Sequence, residues 1–228
     1  MKNLMTFANP AKCFGERYEV FVRMQIDNTL TMGWPLDDIL LVTNFPYEYR
    51  GVSALVLGDE TYCHHRKRAS KINMICELLK QNLLTETAWF HDFDAFQAEP
   101  LSDMLGDYDA AFTDYATHAM WNTGSFFFKP SALDLFERIQ TVMNQQRTNE
   151  EIALTNITDA GEFAGRYLKL NGTYNHGRMR DTDKTYAAAD KPIKVFHFDP
   201  RMTELYRQVK PLLPTHLASL FERYGFSC

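Results

Sequence analysis

Cysteine is scarce in this chain. Its 228 residues include four, Cys13, Cys63, Cys76 and Cys228, with no CxxC spacing. That excludes a disulfide scaffold, and the four read as free thiols of a reducing compartment. Cys63-His64-His65 has no second cluster to complete a soft-metal site and reads as a polar loop. Glycine-rich phosphate loops are also missing. No GxGxxG or GxxxxGK[ST] follows an early strand, which argues against a dinucleotide enzyme of the usual kind and a P-loop NTPase. A basic excess is absent: the net charge is −5, which disfavours a protein built to grip nucleic acid non-specifically. No apolar run reaches the length that spans a bilayer. Met1-Lys2-Asn3-Leu4 lacks the features of a signal peptide. A cytoplasmic chain without an integral membrane segment is the expectation. Repeats and flexible linkers are absent as well, so one domain over 1–228 is expected.

What is present is ordinary globular material, 45% hydrophobic and 23% charged, enough for a full core. Leu4 to Asn9 reads as a first strand. Glu16 to Met32 has apolar residues at helical spacing and stops at Gly33. Ile39 to Thr43 and Ser53 to Leu57 are continuous apolar runs, the pattern of strands buried on both faces. Arg66 to Leu79 is amphipathic, and Ala88 to His91 is a further strand. The alternation predicts an α/β fold with a mixed, mostly parallel central sheet flanked by helices and a site at the strand ends. In the second half, Tyr108 to Thr113 and Ser125 to Lys129 read as strands, the latter after a turn at Asn122-Thr123-Gly124. Ser131 reads as the N-cap of a helix running to about Met143. Glu150 to Ile157 and Asp159 to Leu170 read as helices, Ile193 to His197 as a last strand, and Met202 to Tyr224 as terminal helices.

One motif carries chemistry. The strand Ala88-Trp89-Phe90-His91 runs straight into Asp92-Phe93-Asp94. In an extended segment residues i and i+2 share a side, so both carboxylates would face one point while Phe93 packs the other way. Two like charges that close repel, and a hard divalent cation between them removes the conflict. A solvated loop is the alternative, since the tripeptide is common.

With its neighbours in order, the chain resembles the GT-A glycosyltransferases. Asp92-Phe93-Asp94 stands where that fold family places its DxD. Arg68 and Lys71 lie on the preceding helix, Asn122-Thr123-Gly124 resembles the family's Asn-x-Gly turn, and Asn149-Glu150-Glu151 resembles its acidic segment. Gly172-Thr173-Tyr174-Asn175 and Phe196-His197-Phe198 resemble later segments, the last holding a histidine ligand. The Gly-x-x-Lys-Pro-Trp tail of one retaining family does not follow His197. The resemblance implies a nucleotide-binding half over 1–98, a sugar and acceptor half over 99–200 and C-terminal helices over 201–228.

It also implies roles. Asp92, Asp94 and His197 would hold Mn²⁺ or Mg²⁺, although His197 reads equally well as a satisfied core histidine. Thr6, Phe7, Ala8, Asn9, Asn44, Arg68, Lys71, Asp92, Asn122 and Gly124 would bind the donor. Asn44 fits a plain turn equally well, and Arg68 a solvated face. Asp114, Glu150 and Glu151 are the candidate catalytic carboxylates. The two glutamates also suit a first helical turn, where the macrodipole favours acids. The loop Asn175 to Ala189 is expected to be mobile and to order over the donor. The implied activity is metal-dependent transfer of a sugar from a nucleotide diphosphate sugar, UDP-linked, to an acceptor, with retention favoured over inversion. The acceptor class stays open among glycan, lipid, protein and modified nucleic acid. Arg66 to Arg68, or Arg178 and Arg180, could meet phosphate in the last case. A sugar-phosphate nucleotidyltransferase and an inactive nucleotide-sugar-binding module are the alternatives.

Overall fold

A computed structural model describes residues 1–115, 120–177, 182–198, 206, 207 and 209–226, with the backbone alone for 182 and 183. Arg178, Arg180, Asp199 and Cys228 lie outside these residues. In chain order the elements are β1 (Lys2–Phe7), α1 (Glu16–Thr31), β2 (Ile39–Thr43), β3 (Glu48–Tyr49), β4 (Val52–Ser53), β5 (Leu55–Val56), α2 (Ser70–Lys80), β6 (Ala88–His91) and β7 (Ala95–Gln97). There follow β8 (Ala110–Asp114), β9 (Trp121–Phe128), α3 (Leu133–Gln146), α4 (Glu150–Asp159), β10 (Tyr167–Leu170), α5 (Thr182–Ala188), β11 (Val195–His197) and α6 (Thr215–Arg223).

Seven strands form the central sheet in the order β10-β8-β9-β6-β1-β2-β5. Every neighbouring pair is parallel except those of β9, which runs antiparallel to β6 and β8. The predicted mixed, mostly parallel sheet is therefore the one found. Continuous apolar strands follow from burial on both faces. In β1, Leu4 enters the core beneath α2, α3 and α4, and its neighbour Met5 enters the core beneath α1 and α6. Alternation of side chains across the pleat feeds both layers from one strand.

A second, two-stranded sheet does the positioning. β7 and β11 pair antiparallel with His197 opposite Ala95 and Phe196 opposite Phe96. The pairing brings a residue from the end of the chain to within one position of the acidic motif.

Several sequence expectations change. Ser53 to Leu57 is not one buried strand. It divides between a short hairpin and the edge strand β5, where Val56 is 48% exposed. Residues 160–170 are not a helix. The chain turns through Gly161, Phe163 and Gly165, all at positive φ, and Tyr167 to Leu170 pairs parallel with β8. Left-handed residues at that spacing end a helix, and the sequence pattern hid them. Ser131 does not cap α3. It sits in a 3₁₀ turn before the helix, with its hydroxyl on Asp109. Asn122 to Gly124 forms no hairpin turn but is part of β9. The segment expected to be a loop over Asn175 to Ala189 contains α5, and its residues 178–181 lie outside the described ones.

Candidate active site

The acidic motif is not extended. β6 ends at His91, and the chain turns so that the Ala95 amide donates to the Asp92 carbonyl at 3.0 Å. The two carboxylates converge because of this turn, not through strand alternation. The Asp92 amide donates to Gly124 O at 2.8 Å and the Phe198 amide to Asp94 O at 2.7 Å, so β9 and the chain leaving β11 grip the turn from two directions. Phe93 is buried, as expected. His91 lies under the turn with its ring nitrogens 2.8 Å from Asn3 Oδ1 and 3.2 Å from the Asp92 carbonyl oxygen. Burial pushes its pKa down to about 4, so it is a neutral prop.

Asp92, Asp94 and His197 each offer a ligand atom within 4.8 Å of the other two. His197 is fully buried, and its Nε2 lies 3.2 Å from Asp94 Oδ1. Its Nδ1 lies 2.8 Å from Asn175 Oδ1, and the Asn175 amide nitrogen donates to Thr113 Oγ1 at 2.9 Å. Asn175 thus holds the ring from behind and leaves Nε2 facing the two aspartates. A hydrogen-bond partner that orients the histidine is a usual feature of a metal site. The two carboxylates are ligands of the kind that suit Mn²⁺ or Mg²⁺. Gly124 makes room: a Cβ there would stand 2.0 Å from His197 Cε1. The resemblance made Gly124 a donor-binding residue, whereas the structure puts this imidazole against it.

The other flank is organised by Lys71, which is only 6% exposed. Its Nζ donates to Asp92 Oδ1 at 3.2 Å and to the Thr123 carbonyl at 2.8 Å, and it pairs with Glu150 Oε1 at 3.1 Å. Burial opposes the ammonium, yet the charges of Asp92, Glu150 and Glu151 outweigh it and hold the pKa above the ordinary lysine value. A break in register explains the carbonyl. β8 and β9 pair Phe112 with Phe126 and then Thr113 with Asn122. Thr123, Gly124 and Ser125 therefore bulge out of the ladder, and a bulge re-aims backbone groups beside a site. Asn122 Oδ1 closes the bulge by accepting from the Gly124 amide at 2.9 Å.

Glu150 and Glu151 open α4, capped by Asn149, whose side chain accepts from Ile152 N. Glu150 is buried and also accepts from Thr123 Oγ1 at 3.2 Å. Glu151 accepts from Tyr115 Oη at 2.9 Å and from the Thr123 amide at 3.3 Å. Asp114 pairs with Lys169 on β10.

A cleft of about 500 Å³ opens beside the turn. Of the expected donor-binding residues, Thr6, Phe7, Ala8, Asn9, Arg68, Lys71 and Asp92 line it. Asn44, Asn122 and Gly124 do not. The buried Asn44 side chain accepts from the Asn9 amide at 2.8 Å and donates to the Asn9 carbonyl at 3.1 Å, so it braces the cleft wall. Asn122, fully buried, acts in the bulge. Lys71, expected to bind the donor, is spent on Asp92 and Glu150. The sequence reading missed Arg17, Tyr18 and Tyr62 on the cleft wall, and Gln25 behind the turn. Gln25 had a signal, a polar residue at i+4 from Phe21 on the apolar face of α1.

No known family profile matches the chain, and no curated protein matches it in sequence. Solved structures do. A glycosyltransferase involved in glycosylation of the major capsid of PBCV-1 aligns at a TM-score of 0.60 and 13% identity, covering 92% of this chain and 100% of that one. The galactosyltransferase LgtC, solved with donor and acceptor sugar analogues, aligns at 0.54 and 13%, covering 95% and 99%. Mouse xyloside xylosyltransferase 1 aligns at 0.55 and 10%, covering 88% and 98%. At such identities the likeness is one of fold, and the fold of this chain is that of the GT-A glycosyltransferases.

Proposed function

We propose that the protein is a metal-dependent glycosyltransferase that moves a sugar from a nucleotide diphosphate sugar, UDP-linked, to an acceptor. One observation carries this reading: on a GT-A fold, Asp92, Asp94 and His197 converge, and the two aspartates line a cleft of nucleotide size. Asp94 and His197 would hold the cation, with Asp92 shared between the cation and Lys71. A divalent cation there supplies neutralisation of the charge that develops on a departing diphosphate. The chain's own groups do the rest. Thr6 to Asn9 and Tyr18 flank the base and ribose, Arg68 and Lys67 face the phosphates, and Phe93 closes the cleft floor to water.

Retention of configuration is the stereochemistry proposed. An inverting enzyme needs a free general base beside the acceptor. Here Glu150 is tied to Lys71, Glu151 to Tyr115, and Asp114 to Lys169, so each of these carboxylates is already engaged by the protein. No described helix is long and apolar enough to cross a membrane, and the proposed setting is the cytoplasm. The test is thermal stabilisation by a panel of nucleotide sugars with and without Mn²⁺. UDP-sugars should raise the melting temperature, and chelator should abolish the gain. Stabilisation that chelator leaves unchanged, or no response to any donor, would overturn the reading.

A further inference from the structure

Helix α1 turns four buried polar residues inward, Gln25, Asp27, Asn28 and Thr29. Two of them are amides aimed at the backbone of the acidic turn and of β7. Gln25 Nε2 donates to Phe93 O at 3.0 Å and to Ala95 O at 2.8 Å, the carbonyls on either side of Asp94. Asn28, one turn along the same face, donates from Nδ2 to Gln97 O at 3.0 Å. Both side chains are closed to solvent, at 0% and 1% exposed. Sheet partners or the turn itself satisfy the Asp92 amide and carbonyl and the Asp94 carbonyl. The Phe93 carbonyl points out of that pattern, and among the described residues Gln25 is its partner. The same helix presents Arg17, Tyr18 and Phe21 to the cleft, so one rigid element joins the cleft wall to the turn.

We propose that Gln25 is a positioning residue: by clamping the carbonyls of Phe93 and Ala95 it fixes the Asp94 carboxylate against His197 in the arrangement a divalent cation requires. The inference rests on the metal reading above. Gln25 touches neither cation nor donor, and its effect passes through the backbone. Both donor contacts of the Gln25 amide go to this backbone, and groups behind metal ligands govern affinity strongly.

The test uses the full chain, with Mn²⁺ affinity read from the paramagnetic resonance of the free ion and hydrogen exchange read at the Ala95 amide. Gln25→Met keeps the volume and removes both donors. Asn28→Leu removes a matching buried amide bond one turn away and is the control for a merely structural role. The expected result is a loss of Mn²⁺ affinity of about 10-fold or more in Gln25→Met, with faster Ala95 exchange, and wild-type values of both in Asn28→Leu. Wild-type values of both in Gln25→Met, or equal losses in Asn28→Leu, overturn the proposal. Should Gln25→Met not fold, Gln25→Glu, which keeps the shape and replaces the donor with an acceptor, is read the same way. Absence of Mn²⁺ binding in the wild type, or binding unchanged in Asp94→Asn, breaks the metal reading instead. Ala95 exchange in Gln25→Met against Asn28→Leu then decides the clamp alone.

Discussion

The acidic turn has two unlike flanks. On the side of α2 and α4, the protein supplies its own cation: Lys71, itself buried, lies between the half-buried Asp92 and the buried Glu150 and is bonded to a bulged carbonyl. On the side of β7 and β11 the partner is a histidine. Asp94 Oδ1 faces His197 Nε2, and Asn175 holds the ring from the other side. Two aspartates one residue apart thus have different electrostatic partners. Lys71 offsets the charge of the first, and the second faces the histidine with which it is proposed to hold the metal. Preorganised charge of this kind costs no reorganisation when the leaving group departs.

The largest expected effect breaks the cation-seeking flank. Asp94→Asn should lower kcat by ~10³-fold and remove the Mn²⁺ dependence of UDP binding, read by steady-state kinetics and calorimetry. Loss of both confined to Asp92→Asn would reverse the assignment of the flanks. Lys71→Met attacks the other side. It leaves Glu150 buried beside Asp92 without a counter-charge and should cost about 3 kcal/mol or more in denaturant unfolding. The same residue predicts an alkaline limb. Its folded pKa is raised, so the stabilisation is complete below the unfolded value of 10.5 and is lost as pH climbs through the higher folded value. Lys71→Met should flatten that limb.

His176 offers a smaller perturbation of the metal flank. It is buried behind β11 between Tyr186 and Phe196, and burial pushes its pKa down to about 4. The unfolded chain takes up a proton there near pH 6.5 and the folded one does not. Stability is therefore complete above pH 6.5 and falls as pH drops toward 4, by at most about 3 kcal/mol. His176→Phe should remove that slope in melting curves taken across this window. Gly124→Ala gives the smallest effect. The new Cβ displaces the His197 ring, and Mn²⁺ affinity should fall about 10-fold while the Lys71 network remains. An unchanged affinity would show that His197 does not ligate.

Much of the sheet was legible because its strands are apolar runs bounded by turns, as in Ile39 to Thr43. The cleft wall Thr6 to Asn9 was legible because sites gather at strand ends. Residues 160–170 were misread because Gly161, Phe163 and Gly165 turn the chain through left-handed conformations that composition does not announce. Gln25 was missed because its partners are carbonyls 68 and 70 residues away, and a backbone acceptor leaves no mark in a sequence.

By itself the sequence determined the alternation of buried strands and amphipathic helices, and with it the fold class, because side-chain periodicity is a local property. It also determined that Asp92 and Asp94 stand at the end of a central strand. Tertiary structure alone decided how they differ. A turn rather than an extended strand brings the carboxylates together, a bulge in β9 sends Lys71 to one of them, and antiparallel pairing of β7 with β11 sends His197 to the other. Those partners lie far apart along the chain, and only the packed sheet fixes distances of a few ångströms between them.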